Sequence, residues 1–199
     1  YLMSLHRTTR SEQENSHLLG LNVRVRPPEP RDWQAWVELR TASRDFLVPW
    51  EPAWASDAHT RAAYRRRLRH QQRDASNDVC YSYFLVRRSD DVLMGGITLS
   101  NIQRGVAQSC GVGYWIGKPY ARDGYMTEGL KCALSHCFSS LGLHRIEAAC
   151  MPNNDASQAL LRRCGFRREG YARKYLKING AWRDHLLFAV IEEEWKRPA

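Results

Sequence analysis

Nowhere in the 199-residue chain does an apolar run approach the ~18 residues that a helix needs to cross a bilayer, so no membrane role is expected. The opening stretch, Tyr1 to Gly20, has no apolar signal-peptide core and reads as a flexible tail over residues 1–19. No repeat and no Ser/Gly/Pro-rich linker interrupts the rest of the chain, so residues 20–199 read as a single domain able to bury a core. None of the six cysteines forms a C-x-x-C pair, and most lie within apolar strand or helix patterns. Buried free thiols of a reducing cytoplasm are expected, with no metal site and no disulfide frame. Acidic residues are the minority, 21 Asp and Glu against 30 Lys and Arg, for a formal charge of +9. Such a surplus suits phosphate groups or RNA as partners, although any single patch reads more simply as a solvated Arg-rich surface.

The stretch Gly113 to Leu130, GYWIGKPYARDGYMTEGL, is the most informative. Gly113 to Ile116 is aromatic and β-branched, a buried strand. Gly117, Lys118 and Pro119 break it, and a helical pattern runs from Tyr125 to about Leu141. A strand, a glycine-bearing turn at Gly124 and a helix N-terminus form an anion site. The first helical N–H groups lack internal partners, and glycine lets the backbone approach a phosphate. Two other phosphate loops fail here. Pro119, not Ser or Thr, follows Gly117-Lys118, and Gly111, Gly113 and Gly117 lie before and inside the strand rather than after it.

The remaining chain reads in order. Leu21–Arg26 alternates as a half-buried strand, and a helix spans about Arg31–Arg44. Phe46–Pro52 is a proline-punctuated loop, and a second helix, capped by Ser56 or Asp57, runs to about Arg73. Val79–Arg87, Val92–Leu99 and Ala107–Gly117 form an antiparallel meander, with Gly95-Gly96 marking a bulge or close approach. His144–Met151 is a strand, Asn154 or Asp155 caps a helix to Cys164, and two last strands flank the hairpin turn Asn179-Gly180. The order β-α-α-β-β-β-α-β-α-β-β is an α+β mixed sheet.

That order and the loop Ala121-Arg122-Asp123-Gly124-Tyr125-Met126 resemble the GNAT family of N-acetyltransferases, whose loop reads Gln/Arg-x-x-Gly-x-Gly/Ala. Ala121 and Met126 depart from that pattern, while Gly124 keeps it. The family's ribosomal-protein branch is matched more closely by Pro152-Asn153-Asn154-Asp155-Ala156-Ser157 leading to Cys164-Gly165-Phe166, by Pro49-Trp50-Glu51-Pro52, by Ser100 to Gly105, and by Asn179 to His185. The resemblance covers roughly residues 21–195. It implies the GNAT fold, a seven-stranded mixed sheet with helices on both faces. It implies acetyl-CoA as donor and a protein α-amine as acceptor, foremost the N-terminal alanine of ribosomal protein S5. A non-catalytic CoA- or RNA-binding module, or an enzyme for another terminus or a peptide-like toxin, is the alternative.

The resemblance also suggests roles. The pyrophosphate would lie on the backbone from Ala121 through Arg122, Asp123, Gly124, Tyr125 and Met126 to Thr127, and the thioester against Trp115, Ile116 and Gly117. On a helix Asn154, Ser157 and Leu161 share a face, here assigned to the pantetheine arm. Leu161 stands where relatives carry a tyrosine acid, so Ser157 is the candidate acid; an ordinary thiol has a pKa of about 8.5 and leaves readily. Glu51 is the candidate to bind the ammonium and relay its proton, within an acceptor wall of Trp50, Asn101 and Tyr171. Glu169 and Asp184 are weaker candidates for that task and read more simply as a hairpin-edge charge and a partner to a nearby arginine; Glu128, His144 and His185 read as structural.

Overall fold

The computed structural model describes residues 18–195. Most of the expected tail therefore lies outside the described residues. Leu18 belongs to the folded domain, since it is buried and its carbonyl accepts from Val25 N.

The chain forms β1 (Val23–Arg26), α1 (Trp33–Ala42), α2 (Arg61–Ser76), β2 (Tyr81–Arg87), β3 (Leu93–Gln103), β4 (Ser109–Ile116), α3 (Tyr125–Ser139), β5 (Arg145–Cys150), α4 (Asp155–Arg163), β6 (Arg167–Ile178) and β7 (Ala181–Ile191). The seven strands lie in the order β1-β2-β3-β4-β5-β7-β6. All neighbours pair antiparallel except β4 and β5. This is the α+β mixed sheet expected.

Strand alternation sends side chains to two separate cores. On β2, Tyr83 and Leu85 join the cluster beneath α3, which includes Leu130, Leu134 and Ile146. Phe84 and Val86 face the opposite way, into a smaller cluster with Trp36 of α1 and Tyr64 and Leu68 of α2. Glu128 of α3 accepts from Asn22 N at 2.7 Å and from Asn22 Nδ2 at 3.2 Å, tying the helix to the start of β1. No helix among the described residues is long and apolar enough to cross a membrane.

Three local expectations change. Phe46–Pro52 is not irregular: one helical turn, Arg44–Leu47, passes into a 3-10 turn, Val48–Trp50, with Pro49 near its start, where a missing N–H costs nothing. The cap of α2 is Thr60, whose Oγ1 accepts from Ala63 N at 3.1 Å, rather than Ser56 or Asp57. β3 continues past Leu99 to Gln103 through a register shift, with Asn101 at a positive φ of 53°.

The expected close approach at Gly95-Gly96 is present. A Cβ on Gly95 would lie 2.3 Å from the Trp115 carbonyl oxygen, and one on Gly96 2.5 Å from Trp115 Nε1. Gly95→Ala must push backbone from backbone, so it is expected to lower stability by about 1–3 kcal/mol, read from the urea midpoint at unchanged slope.

Candidate active site

β4 and β5 pair only over Ser109–Gly111 against Arg145–Glu147. Beyond those residues the two strands part, and their C-terminal halves line a wedge. Gly117 N donates to Met94 O on β3 at 2.8 Å. By the alternation of an antiparallel ladder Trp115 turns its amide to β3 as well, whereas Tyr114 and Ile116 turn theirs toward the wedge. Of the strand-end residues assigned to the cofactor, Ile116 thus offers the amide and Trp115 does not.

The turn between β4 and α3 divides at Ala121. Gly117 is engaged at both backbone groups, its carbonyl accepting from Tyr120 N, and a Cβ there would strike the Leu39 side chain at 2.4 Å. It is a packing glycine whose backbone groups are both engaged within the protein. Ala121 N donates to Lys118 O at 3.3 Å. From Arg122 to Thr127 no backbone amide has an acceptor among the described residues, and α3 has no side-chain cap. Arg122 and Gly124 both have positive φ, 71° and 84°, which turns successive N–H groups into a concave nest. A Cβ on Gly124 would meet nothing within 4 Å, so open space lies in front of the turn. A separate surface cavity of about 400 Å³, lined by Leu21, Asn22, Arg87, Arg88, Ser89 and Tyr125, flanks the helix start on its β1 side rather than in the wedge.

Inside the wedge, Tyr114 Oη and Ser157 Oγ are 2.7 Å apart. Burial raises the Tyr114 phenol far above its ordinary pKa, with the Ser157 hydrogen bond opposing, so it stays protonated and can donate. Cys150, at the end of β5, meets the same serine hydroxyl; burial raises its thiol while that contact lowers it. Ser157 is positioned by the start of α4, where Asn154 Oδ1 caps Ser157 N at 3.1 Å. Leu161 is fully buried in the core and offers no surface to a cofactor, because the face it shares with Ser157 turns inward one helical turn later. Met126 is buried likewise, leaving only its amide for a ligand. Tyr114 was invisible as a site residue in the sequence: its partner is far along the chain. The adjacent aromatics Tyr114 and Trp115 do announce, by alternation, that one faces each side.

On the Trp115 side of the sheet the expected lone carboxylate is engaged. Arg40 of α1 grips Glu51 through both oxygens, Nη1–Oε1 at 3.0 Å and Nη2–Oε2 at 2.5 Å, and Trp54 Nε1 donates to Oε2 at 2.8 Å. The Arg40 guanidinium lies 4.4 Å from the Trp54 ring centre and 4.9 Å from that of Trp115. The pair is largely shielded, at 11% and 19% side-chain exposure. Glu51 therefore anchors the loop with its charge already matched, a different arrangement from an open base. Its carbonyl also accepts from Asn179 N at 2.9 Å, joining this loop to the β6–β7 hairpin tip. Sequence reading missed Arg40 and Trp54; the helical spacing of Trp33, Trp36 and Arg40 was the available signal.

Trp50 is half-buried beside Glu51. Tyr171 and Cys150 both pair with Leu186, so Tyr171 lies level with the wedge, two strands or roughly 10 Å away. Asn101 is not brought to this end. It lies five residues along β3 from Gly96, the partner of Trp115, roughly 17 Å at about 3.4 Å per residue. The residues read as structural are engaged: Arg145 pairs with Glu169 at 2.5 Å, and Asp184 accepts from the Tyr171 hydroxyl and from Lys174 N. His185 is buried, with Nδ1 at the Arg183 carbonyl, and His144 lies 3.6 Å from Glu193.

Comparison with known proteins places this geometry. The model of the family described as "Acetyltransferase (GNAT) domain" matches residues 22–167. "Probable N-acetyltransferase YjcK" of Bacillus subtilis is 36% identical over 177 residues, covering 89% of this chain and 98% of the relative. "[Ribosomal protein uS5]-alanine N-acetyltransferase" of Escherichia coli is 33% identical over 171 residues, covering 86% and 88%. Among solved structures, "Mycobacterium smegmatis RimJ in complex with CoA-disulfide" superposes with a TM-score of 0.82 at 35% identity, covering 86% of this chain and 83% of that one.

The Arg40–Glu51 clamp is testable alone. Glu51→Gln leaves a shielded guanidinium without its counter-charge and is expected to cost about 1.5–3 kcal/mol in urea denaturation. A double-mutant cycle with Arg40→Gln should show that the two losses are not additive.

Proposed function

The chain belongs to the GNAT family of acetyltransferases, and we propose that it transfers acetyl from acetyl-CoA to the α-amine of a protein N-terminus. The first candidate acceptor is the N-terminal alanine of ribosomal protein S5, on the likeness to the uS5-alanine enzyme of Escherichia coli. The observation that carries the reading is the run of amides from Arg122 to Thr127 that have no acceptor among the described residues and open on space beside the β4–β5 wedge. A diphosphate satisfies those groups and the helix dipole at once. The cytoplasm is the proposed location, and the +9 surface suits an acceptor presented near RNA.

In this reading the pantetheine arm enters the wedge and its thioester lies along the end of β4. The Ile116 amide donates to the carbonyl oxygen as negative charge grows there. The acceptor amine arrives from the Trp115 side, between the Glu51 loop and the hairpin. As the C–S bond breaks, the proton lost from the nitrogen passes through water to Ser157 Oγ as Ser157 Oγ–H passes its own to the departing sulfur, so that no alkoxide forms, and Tyr114 O–H, hydrogen-bonded to that oxygen, orients it. The proton on the amine needs little help. An α-amine has a pKa of about 7.7–8.0 and is partly neutral near pH 7, unlike a lysine at about 10.4. Glu51, already matched by Arg40, then shapes the acceptor wall and holds Trp54 in place.

Incubation with acetyl-CoA and a peptide bearing the S5 N-terminus is expected to add 42 Da, about one acetyl group, at the α-amine alone. kcat/KM should climb through the amine pKa as pH rises from about 6.5 to 8.5, because the neutral amine is the nucleophile. Binding of acetyl-CoA without turnover on any N-terminal peptide would exclude the enzyme reading in favour of a binding module. Ser157→Ala should lower kcat by about 10²-fold with acetyl-CoA affinity kept. Gly124→Val should abolish acetyl-CoA binding in calorimetry, because a branched side chain at positive φ both strains the turn and fills the phosphate space.

A further inference from the structure

The Trp115 face carries more positive charge than the Arg40–Glu51 clamp accounts for. Arg44 lies with its guanidinium centre 5.2 Å from the Trp54 ring, and Arg67 of α2 with its own 5.6 Å from the Trp36 ring. Among the described residues neither has a carboxylate within 4 Å; the acidic groups of this region pair elsewhere, Glu51 with Arg40 and Asp57 with Arg66. The charges feel one another. Desolvation first and Arg40 second lower the pKa of Arg67, and desolvation, Arg40 and Arg44 together lower that of His59. Arg67 remains charged, and it is exposed beside the Trp36 ring. Three guanidiniums thus share one carboxylate around the Trp36, Trp54 and Trp115 rings.

We infer that Arg67, assisted by Arg44, forms a subsite for a carboxylate side chain at the second or third residue of the acceptor. This rests on the acceptor reaching the thioester from the Trp115 side. An extended chain advances about 3.3–3.6 Å per residue, so side chains two and three lie within roughly 10 Å of the reacting amine. A guanidinium fork matches a carboxylate through two parallel hydrogen bonds, and the indole face beside each fork helps to fix its plane. An acidic side chain there would supply the charge this cluster lacks. A basic one would meet three like charges.

The test uses the whole chain and four peptides that begin with alanine and differ at residues two and three, as Glu-Glu, Asp-Asp, Gln-Gln or Lys-Lys. The unmodified protein should prefer the acidic peptides over Gln-Gln by about tenfold or more in kcat/KM, mostly through KM. Arg67→Gln should erase that preference while kcat/KM for the Gln-Gln peptide stays within about twofold and calorimetric acetyl-CoA affinity is unchanged. Arg67→Lys should retain part of it. Equal kcat/KM for acidic and neutral peptides, or a preference that survives Arg67→Gln, overturns the subsite and leaves the acetyl transfer standing. No turnover on any of the peptides overturns the α-amine reading, and the subsite falls with it.

Discussion

β4 and β5 run parallel and hydrogen-bonded for three residues and then diverge. A parallel pair held to its ends would satisfy its own backbone and leave no room between the strands. Divergence instead leaves β4 with amides that point at no strand, beginning near Tyr114 and ending at Ile116. It also lets α4 bring Ser157 to Tyr114 from the β5 side. The β4 amides that line the wedge are thus backbone groups to which the topology gives no neighbouring strand. They retain their hydrogen-bonding capacity because the fold withholds the neighbouring strand.

The same divergence separates two tasks. Tyr114 and Trp115 are adjacent, yet one meets α4 and the other packs against Arg40 of α1. In the proposed reaction the strand itself is the partition between the donor and the acceptor. Each side then has its own electrostatics. The Tyr114 side offers a row of amides at a helix start, and the Trp115 side a guanidinium-rich aromatic wall with the Glu51 carboxylate. Charge is arranged on the two sides independently because the sheet lies between them.

The sequence made the scaffold legible to within a few residues, since alternation, glycine breaks and Asn179-Gly180 all report on local structure. The amide nest was legible for the same reason: a glycine ahead of a helical pattern is a local signal. Tertiary pairing was what escaped. Glu51 looked like a lone carboxylate because nothing near it in the chain announces Arg40 as its partner, on the preceding helix. Leu161 shared a helical face with Ser157, but periodicity does not say where along a face the solvent ends and the core begins. Gly117 sat in a motif and turned out to be dictated by the bulk of Leu39. Asn101 was placed by motif likeness, and its position at the far end of β3 depends on a strand extension that no turn signal predicts.

The bond from Asn179 N to Glu51 O has a mechanical consequence. It latches the tip of a long hairpin to a proline-braced turn from the other half of the chain. The Glu51 loop and the hairpin tip are therefore joined there by one backbone hydrogen bond among the described residues, whose net worth is about 1 kcal/mol. Such a latch opens often on thermal energy alone, at a cost near twice RT, while Arg40 keeps Glu51 itself in place. In the proposed reaction, flexing of the hairpin at this latch would open the way for a polypeptide end without moving β4.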